Sequence, residues 1–149
     1  MRSEEVQHSC DELKHIFLMF QNINRQFTQS FEKETGISLT RYEMLYTLFT
    51  KGDLSQSELQ HVLKIDQAAI TRHLKILEQK SFVIRNRNQQ NNREVIVQIT
   101  DVGKEVLEHC DVDRKQFFDK LFSGFSEQQV HQLQLLTEKL MVNTENNFI

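Results

Sequence analysis

Residues 54–103 read LSQSELQHVLKIDQAAITRHLKILEQKSFVIRNRNQQNNREVIVQITDVG, and a change of period inside this stretch decides the fold. Ser55-Gln56-Ser57-Glu58 has capping-box spacing, which predicts a short helix with Leu59, Val62 and Leu63 turned inward. Lys64-Ile65-Asp66 reads as a turn, and Asp66 stands where it can cap the next helix. That second helix carries Ile70, Leu74 and Leu77 at i, i+4 and i+7. Beyond Ser81 the helical period is lost. Residues 82–85 and 94–99 are β-branched and aromatic, and the polar stretch 86–93 between them is rich in turn formers. The pattern predicts a β-hairpin with a long, flexible tip. Two short helices joined by a tight turn and followed at once by a hairpin make a winged helix-turn-helix, with the hairpin as the wing.

Outward from this stretch the chain reads as long helices. Val6, Cys10, Leu13, Phe17, Phe20, Phe27 and Phe31 fall at helical spacing, widened by Ile16 and Ile23, and Gly36 stops the helix. At about 1.5 Å per residue such a helix reaches roughly 40 Å, more than a small domain needs to cover its own core. Thr40-Arg41-Tyr42-Glu43 has capping-box spacing for a helix running through Phe49 to Gly52. On the other side, Thr100 or Asp101 caps a long helix whose apolar positions run from Val102 to Phe122 and reach Gly124. Ser126 to Gln129 caps a last helix with Val130, Leu133, Leu136 and Leu140 inward, and residues 144–149 read as frayed, with Phe148 and Ile149 free to dock on a partner. The fold class is mainly α, in three regions: a helix over 1–35, a winged core over 36–100 and C-terminal helices over 101–149.

Composition excludes several alternatives. The 149 residues include no proline and only four glycines, which removes Gly-rich phosphate loops, collagen, turn-dense sandwiches and Pro-rich linkers. No apolar run approaches the ~20 residues of a membrane helix, so the expected location is cytoplasmic. Two cysteines are too few for a disulfide framework and lack the spacing of a zinc or thioredoxin site. Hydrolase, metalloprotease and nucleotide-binding motifs are missing, so neither an enzyme nor a cofactor is expected. Net charge is −3, but its distribution is uneven. Lys64, Arg72, Lys75, Lys80, Arg85, Arg87 and Arg93 face only Asp66 and Glu78 over residues 64–93. A basic middle between acidic flanks suits a polyanion.

The predicted second helix of the pair, turned inward by Ile70, Leu74 and Leu77, presents Gln67, Ala68, Thr71, Arg72, Lys75 and Gln79 on its other face. Gln and Arg can make bidentate contacts to base edges, Thr can offer a methyl or a hydroxyl, and Lys can meet phosphate. The small Ala68 and Ala69 clear bulk where a groove wall would approach. A solvated face of no function would mix in acids, and only Glu78 occurs. Arg85, Arg87 and Arg93 give the wing cations suited to a minor groove. The plainer reading, charges that protect an edge strand, fits Arg85 better than Arg93.

The order of elements, Thr71-Arg72 with Leu77-Glu78, and Arg93 running into Ile99-Thr100-Asp101-Val102-Gly103 resemble the MarR family of regulators, over nearly the whole chain. The resemblance implies long dimerisation helices, a homodimer that is usually a repressor, and a palindromic double-stranded DNA operator read by one recognition helix per half-site. It also implies release by a small lipophilic or phenolic effector or by thiol oxidation. Where the family has Asp-Arg-Arg at the wing tip, this chain reads Asn91-Asn92-Arg93, and Ser81 stands where the family usually has glycine. Cys10 and Cys110 are the candidate redox pair, expected to approach across the dimer; small apolar interface residues are the plainer reading. A soft metal site from His8, Cys10, His15, His109 and Cys110 matches no recognised motif. The competing function is a winged helix used for protein–protein contact without sequence-specific DNA binding.

Overall fold

The computed structural model describes residues 9–148, apart from the side chains of 111–114; Val6, His8 and Ile149 lie outside this range. The first helix, α1 (Cys10–Thr35), starts where the Ser9 hydroxyl accepts from the Asp11 amide and ends at Gly36, whose φ of 74° is left-handed. Helix α2 (Leu39–Lys51) is capped by Ser38, not by Thr40 as the spacing suggested. Ser38 holds the extended backbone that an N-cap needs, and its hydroxyl accepts from the Arg41 amide.

Next comes a strand too short for alternation to betray, β1 (Leu54–Ser55). Ser55 ends it and opens α3 (Gln56–Leu63) through a complete capping box with Glu58. Lys64 makes the left-handed turn, and Asp66 caps α4 (Gln67–Gln79) by accepting from the Ala69 amide. Strands β2 (Val83–Arg87) and β3 (Val95–Ile99) form the hairpin, with β3 central in an antiparallel order β1-β3-β2. Leu54 pairs with Val97, which also faces Arg85 on the other side. The wing is thus sewn to the start of the helix-turn-helix.

Thr100 opens α5 (Asp101–Leu121): its hydroxyl accepts from the Gly103 amide and donates to the Ser81 carbonyl. Phe122 lies in the turn after α5 instead of within it. Ser126 and Gln129 cap α6 (Glu127–Phe148) reciprocally. Its last turns are helical to Phe148, where the sequence read as frayed.

The chain divides into two units, after Arg114. In the first, Phe31, Met44, Leu45, Leu48, Leu59, Ile70, Leu74, Leu77, Val83, Val97, Leu107 and Cys110 form one buried core. Ile70, Leu74 and Leu77 hold the inward face expected of them, but Val62 is 41% exposed. In the second unit, Phe117, Phe118, Phe122 and Phe125 make successive ring contacts. The expected inward face of α6 is corrected: Val130, Leu133, Leu136 and Leu140 are all exposed. So are Leu13, Ile16, Phe17, Phe20 and Ile23 along α1, whereas Phe27 is half-buried. These side chains leave large apolar surface open to water.

Candidate nucleic-acid interface

Burying Ile70, Leu74 and Leu77 fixes the rotation of α4, and Gln67, Ala68, Thr71, Arg72, Lys75 and Gln79 are all exposed as a result. Within this face the Thr71 hydroxyl is already engaged. It donates to the Gln67 carbonyl at 2.9 Å and accepts from Gln56 Nε2 at 3.1 Å. Gln56, at the first position of α3, escaped the sequence reading. Its only local signal was its place inside a capping box, and its partner lies fifteen positions away.

The wing cations divide into two kinds. Arg85 gives Nε and Nη2 to the same Glu78 oxygen, at 3.1 and 2.6 Å. Hydrogen bonding from Arg85 holds the Glu78 carboxyl below its ordinary range. This pair ties β2 to the C-terminal end of α4. Arg87 and Arg93, in contrast, are exposed and pair with no acid among the described residues.

The tip is more built than its composition suggested. Strand β2 runs on to Arg87, and the Asn88 amide donates to the Glu94 carbonyl at 2.8 Å. Asn88 Nδ2 donates to Glu94 Oε2, and its Oδ1 accepts from the Gln90 amide. Asn91 Oδ1 accepts from the Arg93 amide at 3.3 Å, so an asparagine shapes the turn that carries Arg93.

Beneath the face, His73 is half-buried, and its Nδ1 has no hydrogen-bond partner. Burial first, then the charges of Arg41 and Arg72, lower its pKa. Arg41 Nε on α2 is likewise buried and unpartnered, although Nη2 lies 4.0 Å from Glu32. The cysteines differ in setting: Cys10 is exposed at the start of α1, and Cys110 is packed into the core of the first unit. An intersubunit disulfide would require Cys110 to leave that core.

The arrangement has close counterparts. The MarR family model matches residues 37–95. YdgJ of Bacillus subtilis (strain 168), an uncharacterized HTH-type transcriptional regulator, is 38% identical over 120 residues, covering 80% of this chain and 73% of its own. The HTH-type transcriptional repressor MdtR of the same organism is 27% identical over 129 residues, covering 87% and 83%. Among solved structures, the Sulfolobus solfataricus regulator BldR superposes with a TM-score of 0.80 at 23% identity, over 92% of this chain and 99% of that one. A mutant of Escherichia coli MarR, crystallised with operator DNA, gives 0.79 at 22%, over 90% and 99%. Together with the winged helix-turn-helix core and the exposed basic face of α4, these likenesses establish that the chain belongs to the MarR family of DNA-binding transcriptional regulators.

Proposed function

We propose that the protein is a homodimeric repressor that binds a palindromic operator, α4 of each subunit entering a major groove and Arg93 of each wing the adjoining minor groove. The single observation that carries this reading is the outward face of α4, where Gln67, Ala68, Thr71, Arg72, Lys75 and Gln79 lie exposed together and the one acid, Glu78, is paired with Arg85. Such a face suits base edges and phosphates. Arg87 and Arg93 add uncommitted cations at the wing, while Arg85 acts as the clip that holds the wing to α4. The exposed stripes of α1 and α6 support the homodimer, since large apolar side chains left in water favour association. Among the described residues no helix is long and apolar enough to cross a membrane; a DNA operator would put the protein in the cytoplasm.

Release by a small lipophilic or phenolic effector completes the proposal. Oxidation is the less supported trigger, because Cys110 is buried away from an oxidant. Selection of bound duplexes from a random pool, followed by salt titration, tests the core of the reading. A recovered palindrome with an affinity that falls steeply with salt is expected. Failure to enrich any duplex would favour the protein–protein module instead.

A further inference from the structure

Within that DNA-binding reading, we propose that Thr71 reads the C5-methyl of a thymine in each half-site through its own methyl group, and that Gln56 is the positioning residue that makes it do so. A threonine side chain has one proton to donate, two lone pairs to accept with, and one methyl. The proton of Thr71 goes to the Gln67 carbonyl at 2.9 Å, the back-bond of a threonine inside a helix. One lone pair takes the Nε2 proton of Gln56 at 3.1 Å, from a neighbouring helix. For the hydroxyl to donate to a base or phosphate, its bond to Gln67 would have to break. The methyl has no such commitment. Thr71 is nonetheless exposed, and its methyl and one hydroxyl lone pair, which can only accept, are what remain for a partner.

Ala68 stands one turn earlier on the same face and is also exposed. Together they place two methyl groups between the hydrogen-bonding side chains Gln67 and Arg72. In the major groove the thymine methyl is the one apolar feature that a side-chain methyl can recognise. A direct contact between the two sheds about one methyl's worth of apolar surface, which corresponds to roughly a four-fold change in affinity per half-site.

The test uses the full-length protein and an operator duplex recovered by selection, with its thymines replaced one at a time by deoxyuridine. Binding is followed by fluorescence anisotropy. The parent should lose about four-fold at one thymine per half-site and little elsewhere. Thr71→Val, which keeps a methyl but loses the bond to Gln56, should discriminate less than the parent and more than Thr71→Ser. Thr71→Ser, which keeps the hydroxyl, should bind thymine and uracil duplexes alike. Gln56→Leu should weaken the discrimination at that same position without changing the melting temperature, an effect that a purely structural bond would not produce. The proposal is overturned by a parent indifferent to uracil at every position, or by Thr71→Ser discriminating as the parent does. It is also overturned if Thr71→Val loses the operator while Thr71→Ser keeps it. If no duplex is enriched at all, the DNA-binding reading itself falls; enrichment without uracil sensitivity removes only the thymine contact.

Discussion

Ser81 holds a φ of 62°, a left-handed conformation that a side chain with a Cβ tolerates poorly. Its carbonyl accepts from Thr100, so the conformation joins the end of α4 to the start of α5. Ser81→Gly should raise stability by about 1 kcal/mol, read as a higher melting temperature. The opposite case is Gly103, where a Cβ would collide with the Phe82 carbonyl oxygen. Gly103→Ala should cost about 1–3 kcal/mol, because backbone must move to make room. His73 makes stability depend on pH. Its folded pKa is lowered, so the unfolded chain binds the proton more readily. Its contribution is therefore present above the ordinary histidine pKa of about 6.5 and lost as pH falls through the window below it. Denaturant titrations at neutral and mildly acidic pH should show a loss in the parent that His73→Gln reduces. Thiol labelling should likewise separate the cysteines: Cys10 reacts in the native state, and Cys110 only as fast as the core opens.

Two elements meet at the Glu78–Arg85 pair, with side chains 41% and 21% exposed. An ion pair this open to water adds little to stability, typically about 0.2–1 kcal/mol. Its consequence is geometric, because it sets the wing against the recognition helix. Arg85→Ala should leave the slope of log affinity against log salt nearly unchanged, since Arg85 is occupied by Glu78. Arg87→Ala and Arg93→Ala should each flatten that slope by about two, one contact being lost in each subunit of the dimer. Equal effects from all three would mean that Arg85 abandons Glu78 for phosphate. The helix-turn-helix is legible in the sequence because Ser55, Asp66 and the Ile70-Leu74-Leu77 stripe are local signals. Strand β1 is not, because two residues show no alternation and become a strand only when β3 supplies hydrogen bonds. Gln56 was missed for the same reason.

For the whole molecule, the apolar stripe of α1 carries the sharpest prediction. Phe17 is 62% exposed, so Phe17→Glu should leave the winged core folded and shift light scattering from dimer toward monomer. A parent that is monomeric at micromolar concentration would remove the basis for a palindromic operator. By itself the sequence determined which segments are helices, where the wing begins and which face of α4 is polar, since caps and periodicity act over a few residues. It also marked the stripes on α1 and α6, but a stripe says only that a face is apolar, not what covers it. The tertiary structure alone decided that Val130, Leu133, Leu136 and Leu140 are exposed in the subunit and that Cys110 is buried. Only it showed Arg85 spent on Glu78, and the Thr71 hydroxyl reached by Gln56. Those outcomes depend on which distant side chains the packed core brings within hydrogen-bond reach, and no local pattern along the chain encodes that proximity.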